Sequence, residues 1–153
     1  MTEQTAFDAL AGEAEQIVAA RRGEEALRAI CELLKQRVAH YDWVGFYLAA
    51  PATRTLTLGP FAGAPTEHGT IPFGRGVCGQ AAERGETLCV QDVSKEENYL
   101  SCSLAVRSEI VVPILRDGEL VAELDIDSHA LAPFTDEDRA FLDRIAALVS
   151  PWI

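Results

Sequence analysis

Apolar residues recur at intervals of three and four through residues 7–18 and again through 24–38, and the Arg22-Gly23 break between these runs predicts two helices. The second is the cleaner, with Ala26, Leu27, Ile30, Leu33, Leu34 and Val38 on one stripe. The period then changes to two. Residues 43–48 and 55–58, rich in aromatic and β-branched side chains, flank the turn Pro51-Ala52-Thr53 and read as a hairpin. The glycines between 74 and 85 bracket a short alanine-rich helix with Cys78 near its N-terminus, and 87–93 reads as a strand. Residues 94–107, SKEENYLSCSLAVR, are polar without a period and predict a mobile covering loop that carries Cys102. Two alternating runs, 110–114 and 120–126, then flank Arg116-Asp117-Gly118, and 135–149 predicts a closing helix capped by Thr135 with acids in its first turn. Helices at both ends of an antiparallel sheet predict one α+β domain over residues 1–153.

The last hairpin lets its side chains be sorted by face. On its second strand Leu120, Ala122, Leu124 and Ile126 point one way, and Val121, Glu123, Asp125 and Asp127 the other. On its first, Ile110, Val112 and Ile114 alternate with Glu109, Val111 and Pro113. A two-residue Asp117-Gly118 turn would pair Ile110 with Asp125 and mix aliphatic and acidic residues on both faces. A three-residue Arg116-Asp117-Gly118 loop, with Gly118 left-handed as a bulge, would pair Glu109 with Asp125 and keep one face apolar, and this register is expected. Glu109, Asp125 and Asp127 then share the face opposite the core. Carboxylates across a ladder repel unless a cation joins them. A solvated outer face would accommodate them; so would a site for an ammonium group, where crowding raises at least one pKa and leaves an acid able to donate a proton. Alternation also puts Trp43, Gly45 and Tyr47 on one face of the first strand. A shared aromatic and acidic pocket would explain both sets.

Charge and cysteine spacing narrow the partners. With 24 acids against 13 bases, a formal charge of -11 and no basic cluster, nucleic acid and anionic membranes are excluded as natural partners. The start MTEQTAFDALAGEAEQ lacks the basic end and apolar run of a secretory signal, and no apolar stretch nears the roughly 20 residues of a membrane span, so a cytoplasmic location is expected. Cys31, Cys78, Cys89 and Cys102 lie far apart, without the paired spacing of zinc sites; neither a metal nor another cofactor is expected. In a reducing compartment such thiols are buried small hydrophobes or reactive groups.

Five segments carry a resemblance: DWVGFYL at 42–48, GRGVCG at 74–79, Cys102 with SEIVVP at 108–113, LDIDS at 124–128 and FTDED at 134–138. In this order and spacing they resemble the free methionine-R-sulfoxide reductases, which are built on a GAF domain, from His40 to the C-terminus. The resemblance implies helices from both chain ends on one sheet face and a ligand pocket on the other. It implies Cys102 as nucleophile and Cys78 as its disulfide partner. Glu109, Asp125 and Asp127 would receive the substrate's amino group and sulfoxide oxygen, and Trp43 and Tyr47 would shape the pocket around the methyl-sulfoxide end. It further implies a thioredoxin-like reductant and, through terminal helices, a homodimer. Cys31 and Cys89 match no motif cysteine and read as core residues. Three departures stand out: His68 where much of the family has a further cysteine, Ser103 where an aspartate is common, and Asn98-Tyr99 in place of Gly-His. Since His68 cannot form a disulfide, a cycle between Cys102 and Cys78 is expected. A sulfoxide sulfur is electrophilic, but its oxygen leaves only once protonated, so such a reductase needs a thiolate and an acid together. A GAF sensor that binds without chemistry, or a thiol switch, are the competing readings.

Overall fold

The computed structural model describes residues 2–100 and 103–153. Both N-terminal helices form, α1 at Glu3–Ala20 and α2 at Gly23–Arg37. The first begins earlier than its apolar period because the Thr2 hydroxyl accepts the Thr5 N–H at 3.1 Å and caps it. Six strands follow with two helices among and after them: β1 Trp43–Ala50, β2 Thr55–Ala62, β3 Thr70–Pro72, α3 Gly76–Arg84, β4 Leu88–Val90, β5 Ser108–Arg116, β6 Glu119–Ser128 and α4 Asp136–Val149. The strands form one antiparallel sheet in the order β3-β2-β1-β6-β5-β4. The expected α+β GAF architecture is the one observed. No helix among the described residues is long and apolar enough to cross a membrane.

The sheet separates two apolar clusters. On one face Phe7 and Leu10 of α1, Ile30 and Leu34 of α2, and Phe141 and Ile145 of α4 pack against Val44, Phe46, Ile110, Val112, Leu124 and Ile126. Each such fully buried side chain stabilises the fold by about 1.5–3 kcal/mol relative to exposure. Cys31 belongs here as expected, its thiol donating to the Pro60 carbonyl at 3.6 Å, and half-buried Cys89 packs against the same cluster. On the other face, among the described residues, α3 packs on the sheet through Val77, Cys78, Ala81 and Ala82, against Trp43, Tyr47 and Val111, with Tyr99 and Leu100 beside it.

The register of the last hairpin differs from the expected one. Asp117 and Gly118, at φ +54° and +80°, form a two-residue turn that pairs Arg116 with Glu119 and Leu115 with Leu120. A bulge follows: Ile114 pairs with Ala122, leaving Val121 as the extra residue on β6. Glu109 therefore faces Asp127, and Asp125 faces Val111, instead of Glu109 facing Asp125. The bulge lies in β6 and not at Gly118. From Ile114 and Ala122 inward it shifts the ladder by two residues from the expected register, an even step, so every acid keeps its expected face. At the tip the bulge exchanges the expected faces of Leu120, which packs on the α3 side, and Val121, which packs on the large cluster.

Two smaller differences concern short elements. The three-residue β3 carries no readable alternation. The strand expected over 87–93 stops at Val90, because the Asp92 carboxylate accepts the Ser94 N–H at 3.1 Å and turns the chain into a 3₁₀ turn.

Candidate active site

Three rungs of the central sheet carry the site. Across β1, β6 and β5 they read Trp43, Asp127, Glu109; then Gly45, Asp125, Val111; then Tyr47, Glu123, Pro113. All lie on the α3 side, opposite the large apolar cluster. The middle rung needs glycine: a Cβ on Gly45 would meet Trp43 Cη2 at 2.3 Å and Phe61 Cβ at 2.9 Å. The indole lies across the strand in that space and stacks on Phe61, with 5.5 Å between centroids. Trp43 Nε1 donates to the Ala64 carbonyl and Tyr47 Oη to the His68 carbonyl, both at 2.9 Å, so the two aromatics anchor the segment between β2 and β3.

Cys78 arrives from above. Gly74 and Gly76 turn the chain at φ +90° and +68° into α3, and a Cβ on Gly79 would strike the Pro72 carbonyl oxygen at 2.6 Å. The helix start is therefore packed backbone to backbone, and its third residue, Cys78, is buried facing the acids. Asn98 ties the covering segment to this turn, accepting the Gly76 N–H at 2.9 Å and donating to the Gly74 carbonyl at 2.7 Å. Asn98 stands at one of the departures from the family pattern, and its holding role here was not read from the sequence.

The acids are buried and incompletely satisfied. Glu109, Asp125 and Asp127 are at most 5% exposed and Glu123 is wholly enclosed. Cys78 Sγ donates to Glu109 Oε2 at 3.9 Å, and Asp125 accepts hydrogen bonds from Glu109 and Cys78. Asp125 Oδ1 and both carboxyl oxygens of Glu123 have no hydrogen-bond partner among the described residues, and Asp127 has no donor but the neighbouring Glu109 carboxyl. Burial, then the charge of Asp125, pushes the Asp127 carboxyl well above the ordinary range, and the same two causes act in the same order on Glu123. Asp125 is also raised by burial, with the hydrogen bonds from Glu109 and Cys78 opposing. Cys78 is held as a thiol, first by burial and then by Asp125, Glu109, Glu123 and Asp127. The cluster is thus biased towards its protonated forms while keeping unfilled acceptor capacity, the combination that both an arriving ammonium and a leaving oxygen require. Cys78 Sγ and one oxygen each from Glu109 and Asp125 lie within 4.8 Å of one another; their mutual hydrogen bonds account for this closeness without a metal ion.

Two spaces adjoin the acids. One of about 10 Å³, roughly one water, lies among Tyr47, His68, Cys78, Leu100, Glu109 and Asp125. The other, a cleft of about 620 Å³, reaches Asp127 and Trp43 and is bordered by Gly63, Ala64, Ser103 and Val106. Cys102, the expected nucleophile, lies outside the described residues. Of the described residues that flank it in sequence, Leu100 borders the small space and Ser103 the cleft. Glu123 is the buried acid to which sequence reasoning assigned no role. Its alternation with Asp125 already placed it on this face, but it precedes the LDIDS segment that carried the resemblance.

The GAF domain family model matches residues 4–151. The free methionine-R-sulfoxide reductase of Escherichia coli is 40% identical over 115 residues, 75% of this chain and 68% of that protein. Among solved structures, the free methionine-R-sulfoxide reductase of Neisseria meningitidis in complex with its substrate superposes with a TM-score of 0.92 at 36% identity, covering 99% of this chain and 90% of that one. The type II free methionine-R-sulfoxide reductase of Thermoplasma acidophilum gives 0.80 at 36% identity, with 94% of both chains covered. This chain belongs to the GAF-domain family and, within it, to the free methionine-R-sulfoxide reductases.

Proposed function

We propose that the protein reduces free L-methionine-R-sulfoxide to methionine, with Cys102 as nucleophile, Cys78 as resolving thiol and Glu109, Asp125 and Asp127 as the acids that hold the substrate and protonate its oxygen. The observation that carries this reading is the rung Trp43, Asp127, Glu109 beside Cys78: an aromatic wall, two buried acids, of which Asp127 keeps unfilled acceptor capacity, and a thiol converge on one face. An α-ammonium group satisfies the unfilled oxygens. The indole and the Tyr47 ring flank an apolar methyl group.

In the first step the Cys102 thiolate attacks the sulfoxide sulfur while a neutral carboxyl of the cluster gives its proton to the oxygen. The S–O bond of the substrate breaks, and the oxygen passes with that proton to Cys102, leaving methionine, a sulfenic acid and a carboxylate. In the second step the Cys78 sulfur attacks the sulfenic sulfur. Its thiol is held protonated by burial and by the acids, so it needs a base, and the 3.9 Å contact from Sγ to Glu109 Oε2 supports Glu109 in that role. The S–S bond forms, and hydroxide leaves with the thiol proton as water. A thioredoxin-like dithiol then reopens the disulfide by exchange. The reducing cytoplasm would sustain such a cycle, and pairing of two chains through terminal helices belongs to the same proposal.

The test is consumption of free L-methionine-R-sulfoxide by the reduced protein with dithiothreitol, beside the free S epimer and Cys102→Ser. R-selective formation of methionine that vanishes in Cys102→Ser is expected. Saturable binding of the sulfoxide with no turnover would overturn the proposal in favour of a sensor.

A further inference from the structure

The rung that carries Tyr47 holds a carboxyl that the two steps above do not use. Glu123 is fully buried, and neither of its oxygens has a hydrogen-bond partner among the described residues. It sits between Tyr47 on β1 and Pro113 on β5, two residues from Asp125 on the same face. The titratable groups around it are Tyr47 from β1, Cys78 from α3, Glu109 from β5, and Asp125 and Asp127 on its own strand, with Arg75 and His68 bordering the adjoining small cavity. A buried carboxyl without partners is a poor way to fill a core, since an apolar side chain of similar size is neutral or more stable there. Glu123 is therefore a carboxyl that packing does not call for and that burial biases towards its neutral form.

We infer that Glu123 is a proton reserve for the acid cluster, a positioning residue that acts through Asp125 to keep a proton available for the sulfoxide oxygen. The inference rests on the reductase reading above. In that reading each reduction takes one proton from the cluster as oxygen moves from the substrate sulfur to Cys102. Water that enters as methionine leaves bridges Glu123 to Asp125, so that the carboxylate left behind regains a proton from Glu123 by way of Asp125, and the same water returns a proton to the otherwise enclosed Glu123. No electron passes through Glu123. The cluster must also stay partly anionic to hold an ammonium group, so a fourth acid lets it be anionic and proton-bearing over a wider pH range than three acids allow. Two strand residues span roughly 7 Å. Like charges that far apart, at an effective dielectric of about 20, couple by more than one pH unit.

The experiment measures kcat for free L-methionine-R-sulfoxide against pH in the wild type, Glu123→Gln and Glu123→Met, with infrared spectra of the same proteins in the neutral-carboxyl region. The wild type is expected to show a neutral-carboxyl band at pH 7 that both variants lack. The alkaline limb of kcat is expected to fall about one pH unit lower in both variants, with KM at pH 6 changed less than twofold. Should Glu123→Gln fail to fold, Glu123→Met carries the test, because it removes the buried polar group altogether. A wild-type spectrum unchanged by substitution means that Glu123 is ionised and overturns the inference. An unmoved alkaline limb in an R-selective enzyme overturns it as well, leaving the reductase reading intact. A wild type without turnover at any pH sinks both.

Discussion

Asp138 and Asp127 are both buried carboxyls, and the protein treats them in opposite ways. Asp138 Oδ1 accepts from Tyr41 Oη at 2.6 Å and bonds His40 Nε2 at 2.8 Å. Its Oδ2 accepts the Thr135 N–H at 2.8 Å, and its own N–H bonds back to the Thr135 hydroxyl, closing a capping box at the start of α4. Burial alone would raise its pKa, but the hydrogen bonds from His40, Tyr41 and Thr135 outweigh it and hold the carboxyl below its ordinary value. Asp127 lies on the opposite face of the sheet with no donor but the neighbouring Glu109 carboxyl among the described residues, and burial, then the charge of Asp125, pushes its carboxyl up against that one bond. A carboxylate that serves the fold is surrounded by its donors. One that meets only another acid in a packed interior destabilises the protein and calls for a partner from outside, and the proposed substrate brings that partner as an ammonium group.

Substitutions on the two sides should separate accordingly. The largest effect is expected for Glu109→Gln, which removes a proton carrier touching the Cys78 thiol: turnover of free L-methionine-R-sulfoxide should fall about 10²- to 10⁴-fold while the far-ultraviolet spectrum is unchanged. For Asp138→Asn we expect a loss of about 1–3 kcal/mol in urea unfolding, because Tyr41 and the cap lose a charged acceptor, with turnover within about twofold of wild type. Comparable loss of turnover in the two variants would erase the distinction.

The smallest effect is one of pH. Asp138, with its folded pKa depressed, contributes stability that is present above the unfolded value near 4 and lost as pH falls through the folded value. Asp125, Asp127 and Glu123, raised in the folded state, contribute stability that is complete below about 4 and lost as pH rises through their folded values. Asp127→Asn removes only a term of the second kind. Any stability it gains over wild type in urea should therefore be larger at pH 8 than at pH 5, and the reverse order would contradict the assignment of Asp127 as a neutral acid.

The sequence made the face of each acid legible because strand alternation survives any even shift of register. It did not make the pairing legible. The bulge that sets Glu109 against Asp127 lies at the hairpin tip, where Leu115 is 47% exposed and Leu120 and Val121 are half-buried, so no strict apolar pattern pins the ladder there. Alternation puts Trp43 and Tyr47 on one face of β1 and the family resemblance sets that face beside the acids; both lie there, in one cluster with Cys78. Glu123 was sorted onto that face as well, but a glutamate in an alternating strand reads as solvated unless something covers it. The cover comes from α3, a long-range contact that strand pattern does not encode. Cys102 lies outside the described residues, and its pairing with Cys78 is read from the family resemblance.

The central claim is that acids left unsatisfied in this interior are kept for substrate. It is tested most directly by measuring the urea midpoint and the turnover of free L-methionine-R-sulfoxide on one preparation each of wild type and Asp127→Asn at pH 7. The account predicts a variant at least as stable as wild type and at least about 100-fold slower. A variant that is less stable and equally active would show Asp127 to be a structural acid and would contradict the account.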